Sequence, residues 1–286
     1  MKWKGKKGSN NIEDRRSSST GGRGIKFSGP MLAALVFGLG IYTVYTGDTK
    51  TAFTIVSKII QMSVGGSDAV RPMSKDEKQL SDNYAKMVSV VLADLESTWN
   101  EKLKQRNIPY SPTTLVLYRA GTNTACGYGA SETGPFYCPG DQKIYLDLDF
   151  INELERLGAR GDFALAYVLA HETGHHIQTL LNITTRLREK QSSASTKQKN
   201  LLQVEFELQA DCFAGIWTNQ AQRRGDLIES GDIEEGMKAA SVVGDDYLQR
   251  RAGQRVNPES FTHGSSKERM QAFTKGLETG SIDACI

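Results

Sequence analysis

The chain has 286 residues, 38% of them hydrophobic, and a formal charge of +2, enough apolar content in an ordinary globular composition for one good-sized core. The charge is unevenly spread: residues 1–26 hold eight Lys and Arg against Glu13 and Asp14, a net +6, so the remaining 260 residues sum to −4. A basic excess confined to a short tail leaves the folded part no basic patch, which excludes nucleic-acid binding by that part.

Residues 1–26 are mostly Lys, Arg, Ser, Gly and Asn with hardly an apolar side chain. Such a composition cannot bury enough surface to fold, and it predicts a disordered cytoplasmic tail. Residues 27–47 then run for 21 positions without a charge. As a helix this stretch spans about 30 Å, the thickness of a bilayer core. No A-x-A-type cleavage site follows, so it reads as an uncleaved single-pass anchor in contact with membrane lipid rather than as a signal peptide. The positive flank keeps the N-terminus in the cytoplasm and sends everything beyond Asp48 outside. Residues 48–73, which include Gly65-Gly66-Ser67, read as a tether that would restrict substrates to those near the membrane.

From Ser74 onward Leu80, Tyr84, Met87, Val88, Val91, Leu92, Leu95 and Trp99 keep helical spacing on one face. A core-facing helix therefore opens a domain over residues 74–286. Residues 113–118, 136–138 and 144–148 are short, β-branched or alternating, and bounded by Gly, Pro and Asp, so they predict strands. An exposed edge of that small sheet could hold an extended peptide by main-chain hydrogen bonds. Beyond Phe150 the pattern is helical over 150–158, 162–182, 198–222, 233–251 and 265–278, with the polar 185–200 stretch a loop or weak helix. The expected fold class is α+β: a mostly helical domain with a small sheet ahead of its central helix, plus an N-terminal transmembrane helix.

That central helix carries His171-Glu172-Thr173-Gly174-His175-His176, the pattern H-E-x-x-H. Positions four apart are neighbours on a helix, so His171 and His175 present their rings to one point and suit two ligands of a tetrahedral zinc. Glu172 lies beside them, where a carboxylate can act as general base toward a water whose pKa zinc lowers to roughly 7. Three of the four histidines fall in this one segment, which chance does not explain. Gly174 costs about 1 kcal/mol relative to Ala in mid-helix and implies close backbone packing there.

A catalytic zinc takes three protein ligands and keeps one position open. The three-histidine version of the motif needs Gly at 178 and His at 181, but the chain has Gln178 and Leu181, which leaves a carboxylate from another helix or His263. On the apolar helix around Phe206, Ala210, Phe213 and Trp217, Glu207 and Asp211 are four apart. Glu207 would ligate the metal while Asp211 accepts the spare ring N–H of one ligand histidine. Glu205 is the rival ligand, but it has no acid four residues on. Four cysteines allow three pairings; a short Gly-rich loop between strands favours Cys126 with Cys138, leaving Cys212 with Cys285 unless Cys212 is a buried thiol.

HETGHH at 171–176, ELQADCFAG at 207–215 and Ser260-Phe261-Thr262-His263-Gly264-Ser265 resemble the bacterial "putative neutral zinc metallopeptidase" family. NIEDRR at 11–16, Cys126-Gly127, GPFYCP at 134–139 and Gly244-Asp245-Asp246 extend the resemblance over nearly the whole chain. It implies a membrane-anchored bacterial protein with a zincin-like domain and a gluzincin-like site: His171, His175 and Glu207 on Zn2+, with Glu172 as base. Thr262-His263-Gly264 with Arg269 is similar to the T-H-P-x-x-x-x-R element of membrane-associated gluzincins, with Gly in place of Pro. His263 is then a donor to the oxyanion of peptide hydrolysis; the competing reading is a loop residue ahead of a helix capped by Ser265 or Ser266. The expected function is hydrolysis of protein or peptide substrates near the membrane. A zinc-stabilised envelope scaffold without turnover is the alternative, and Glu172 next to a ligand histidine favours catalysis over it.

Overall fold

Period-two alternation builds a four-stranded sheet in the computed structural model, which describes residues 1–17, 73–130 and 134–286. In chain order the strands are β1 (Ile12–Asp14), β2 (Thr114–Tyr118), β3 (Gly121–Thr124), β4 (Gly127–Ala130), β5 (Phe136–Cys138) and β6 (Lys143–Asp147). The sheet runs β1-β2-β6-β5, with β2 parallel to both neighbours and β5 antiparallel to β6 at the edge, while β3 and β4 pair as a separate hairpin. Leu115, Leu117, Ile144 and Leu146 enter the main core, and their alternates Val116, Tyr118 and Tyr145 pack with Cys138 on the other face. The Cys126–Cys138 disulfide ties the β3–β4 hairpin to β5.

Helix α1 (Lys75–Lys104) opens with a capping box between Ser74 and Glu77. It is followed by α2 (Phe150–Leu157), α3 (Asp162–Leu180), α4 (Ile183–Ser192), α5 (Thr196–Arg224), α6 (Asp232–Val242), α7 (Asp245–Arg251), α8 (Ser266–Thr279) and α9 (Ile282–Cys285). Every residue of α3 from Phe163 to Gly174 is buried, as expected of a helix apolar all round, which must sit inside the protein. A Cβ at Gly174 would stand 3.0 Å from the Ala210 Cα and carbonyl oxygen, so α3 and α5 cross nearly backbone to backbone. Gly215 and Gly276 allow α8 the same close approach to α5, and the Cys212–Cys285 disulfide fastens the C-terminal turn to α5.

Two helical expectations change. Residues 233–251 form two helices rather than one, because the chain turns at Val243-Gly244, where a Cβ on Gly244 would run into the Ser266 backbone. The polar 185–200 stretch holds the rest of α4 and the Ser195 capping box that starts α5.

The disordered tail is corrected for residues 1–17. Strand β1 aligns Ile12, Glu13 and Asp14 with Leu115, Val116 and Leu117, and Met1, Trp3 and Ile12 pack against the main core. The charges that make this segment look unfoldable find distant partners: Lys6 bonds Asp226, Glu13 bonds Lys143, and Arg16 bonds Asp82. The Met1 ammonium meets Asp162, Glu229 and Asp232 at 3.0–3.3 Å, and the Trp3 indole N–H donates to Asp162.

The anchor expected at 27–47 and the tether down to residue 72 lie outside the described residues. Among the described residues no helix is long and apolar enough to cross a membrane. Because β1 and β2 share one sheet, residues 1–17 and the domain stand on the same side of any bilayer. That pairing is incompatible with one crossing that leaves the N-terminus inside and the domain outside, and it corrects that topology.

Candidate metal centre

Helices α3 and α5 cross where Gly174 meets Ala210, which brings the H-E-x-x-H face of one against the acidic face of the other. Glu207 Oε2 lies 3.2 Å from His171 Nε2 and 3.4 Å from His175 Nε2. A tetrahedral ion with bonds of about 2.0–2.1 Å has donor–donor edges of about 3.3 Å, which both distances from Glu207 match. Among the described residues His171, His175 and Glu207 form a group able to hold a metal ion. Glu205 is on the exposed side of α5, where it cannot join them.

Each of the two candidate imidazoles is gripped from behind. His171 Nδ1 meets Asp211 Oδ1 at 2.7 Å, and His175 Nδ1 meets Gln178 Oε1 at 2.8 Å, which turns both Nε2 atoms toward the shared point. His175 also stacks on Phe206, with ring centroids 5.0 Å apart. Asp211 is fully buried and serves three groups: His171, the Tyr167 hydroxyl and the Arg269 guanidinium, whose Nε and Nη2 reach its two oxygens at 2.8 and 2.9 Å. Glu207 Oε1 accepts from Gln203 Nε2 at 2.9 Å.

These contacts set the protonation states. Burial alone would raise the Asp211 carboxyl, but Arg269 and His171 outweigh it and hold it at about 2. Burial likewise opposes a charged His171, yet Asp211 and Glu207 push it up to about 10. Glu207 is held well below the usual carboxylate range by the two histidines despite its burial. Glu172 moves the other way: burial raises it, with His171 and His175 opposing.

Glu172, His171, His175 and Glu207 line a cleft of about 540 Å³ whose other walls include Phe136 and Tyr137 of β5, Leu187 and Arg188 of α4, Phe206 and His263. The third histidine of the cluster, His176, is fully buried and faces away from this group. Its Nε2 donates to the Ser111 carbonyl at 2.7 Å and its Nδ1 accepts from the Tyr137 hydroxyl at 3.2 Å, which fastens β5 beside α3. His263 stands at the rim with about half its side chain exposed. Asp245 Oδ2 accepts the backbone N–H groups of Thr262, His263 and Gly264, and Ser265 caps α8 as expected. So one loop both precedes a capped helix and presents His263 to the cleft.

Reading the sequence missed Gln178, Gln203 and the burial of Arg269. The signal for Gln178 was present: it lies three residues after His175, one turn along the ligand face of α3. In the sequence Arg269 stands out only for its spacing from His263; its partner Asp211 is 58 positions away.

A family model described as "Putative neutral zinc metallopeptidase" matches residues 1–286. The chain is 41% identical over 294 aligned residues to the uncharacterized protein YpfJ of Escherichia coli (strain K12), covering 100% of this chain and 98% of that protein. It is 38% identical over 202 residues to the uncharacterized protein Rv2575 of Mycobacterium tuberculosis, covering 67% and 66% of the two chains. No solved structure matches.

Proposed function

The chain belongs to the family described as "Putative neutral zinc metallopeptidase", and from that premise we propose that it is a zinc-dependent peptidase with His171, His175 and Glu207 as ligands and Glu172 as general base. The observation that carries the reading is the convergence of two imidazole Nε2 atoms and the Glu207 carboxylate beside Glu172 in an open cleft. A purely structural zinc is closed by four protein donors, whereas three donors bordering a cleft leave a position for the reaction.

When bound, zinc supplies a Lewis acid for the scissile carbonyl and lowers the pKa of water to about 7. Glu172 takes the proton of the attacking water and returns it to the leaving amine, and burial, by raising its pKa, favours its holding that proton between the two steps. Asp211 keeps His171 in the ligating tautomer and is itself kept ionised by Arg269. His263, its loop fixed by Asp245, donates to the developing oxyanion. Strand β5 is the edge of the sheet and lines the cleft, which suits main-chain pairing with an extended peptide.

The reading includes attachment to a bacterial cell membrane through the uncharged 27–47 stretch, with both flanks of residues 18–72 on the domain's side. The two disulfides support an oxidising compartment for that side.

Elemental analysis of the full chain, beside Glu207→Ala and Glu205→Ala, tests the ligand set. One zinc per chain, lost only in Glu207→Ala, is expected, and full zinc in Glu207→Ala would overturn it. Hydrolysis of a denatured protein substrate, abolished in Glu172→Gln with zinc retained, tests the base. Zinc without any turnover in the parent would move the weight to a scaffold.

A further inference from the structure

The two candidate ligand histidines are held by chemically different acceptors, a carboxylate behind His171 and a neutral amide behind His175. Gln178 is fully buried, and the direction of its amide is forced. Its Nε2 lies 2.7 Å from the Phe206 carbonyl oxygen, which can only accept. Oε1 must therefore be the end facing His175, and an amide oxygen cannot donate. So Nδ1 of His175 carries a proton, and the neutral ring has its lone pair on Nε2, available to a metal.

Gln178 Nε2 also donates to Gln209 Oε1 at 3.0 Å, and Gln209 Nε2 donates to the Cys285 carbonyl at 3.0 Å, again a pure acceptor. Cys285 is held to α5 by its disulfide with Cys212. The chain Cys285–Gln209–Gln178–His175 thus has one hydrogen-bond polarity from end to end, fixed by backbone carbonyls at two points.

We propose that Gln178 is the positioning residue that sets the ligating tautomer of His175, and that the Cys212–Cys285 disulfide holds Gln178 in place through Gln209. Zinc affinity then responds to the redox state of the C-terminal turn. A dithiol reductant gives two electrons and two protons to the Cys212–Cys285 bond, yielding two thiols and its own disulfide. Cys285 is then tied to α5 only by non-covalent contacts, and the anchor for Gln209 loosens. This rests on the metal reading above.

The test is zinc affinity of the full chain by competition with a chromophoric chelator, with near-ultraviolet circular dichroism as the check on folding. Gln178→Leu should weaken zinc binding by about 10- to 100-fold. Gln209→Leu, which touches no ligand, should weaken it by about threefold, and the double variant should match Gln178→Leu alone, because Gln209 acts only through Gln178. A C212S/C285S variant should bind about threefold more weakly than the parent yet match it when both carry Gln178→Leu. The proposal falls if Gln178→Leu binds within twofold of the parent, or if the losses multiply, as independent structural damage would. Should Gln178→Leu fail to fold, unchanged affinity in both Gln209→Leu and C212S/C285S overturns the relay. A parent chain that binds no zinc sinks the metal reading instead.

Discussion

Asp211 answers to His171, Tyr167 and Arg269 at once, and this sharing fixes what its loss does. Asp211→Asn keeps the shape but leaves a buried guanidinium without its counter-charge, a change of about 3–5 kcal/mol. Chemical denaturation should register that loss, and chelator competition should register zinc binding weaker by about 10- to 100-fold. His171 adds a pH dependence. Its folded pKa of about 10 stands above the ordinary 6.5, so its ion pairs contribute stability fully below pH 6.5, and the contribution fades as pH rises through about 10. The metal-free protein should lose stability across that window, and zinc binding near neutrality should release protons, seen as a buffer-dependent heat in calorimetry. A buffer-independent heat would contradict the shift. At this scale the H-E-x-x-H residues and the Glu207–Asp211 pair were readable because the helix period turns a spacing of four into a shared face. Gln178's second partner, 31 positions on, and Asp245's, 18 positions on, were not, since only the folded chain brings them together.

Helix α3 meets α5 at a glycine, and the site depends on that distance. Gly174→Ala would gain about 1 kcal/mol in helix propensity. The new Cβ, however, meets backbone atoms at 3.0 Å, which cannot swing aside as a side chain would. Overpacking of about 1–3 kcal/mol wins, so Gly174→Ala should be destabilised and should bind zinc less tightly, because spreading the helices parts Glu207 from the histidines. A variant as stable and as tight as the parent would show that the crossing tolerates the methyl group. At the other end of α3, burial opposes the Met1 ammonium charge, but Glu229 and Asp162 raise its pKa from 8.0 to about 10. Its contribution is complete below pH 8 and fades toward pH 10. Thermal midpoints of the zinc-loaded chain should fall over that range, and less in Asp162→Asn. The long helices were legible in their apolar periodicity. Strand β1 was not, because Ile12-Glu13-Asp14 carries two acids in three residues and its neighbour lies about a hundred positions away.

The described residues form a domain whose first strand and last turn are both fastened to it. Composition predicted a tail, because composition counts charges without their partners. The paired sheet requires cysteine labels placed at residue 5 and residue 253 to react from the same side of intact cells or vesicles. Labels on opposite sides would mean that β1 is not in the sheet. The alignment of β1 with β2 also sets an order of events during synthesis. Ile12 leaves the ribosome about a hundred residues before Leu115, and Glu207 emerges about 160 residues after the uncharged stretch has ended. At about 5–20 residues per second this is a delay of roughly ten to thirty seconds. Residues 27–47 are therefore synthesised well before the third candidate ligand exists. The candidate ligand set is thus complete only after more than two thirds of the chain has been made.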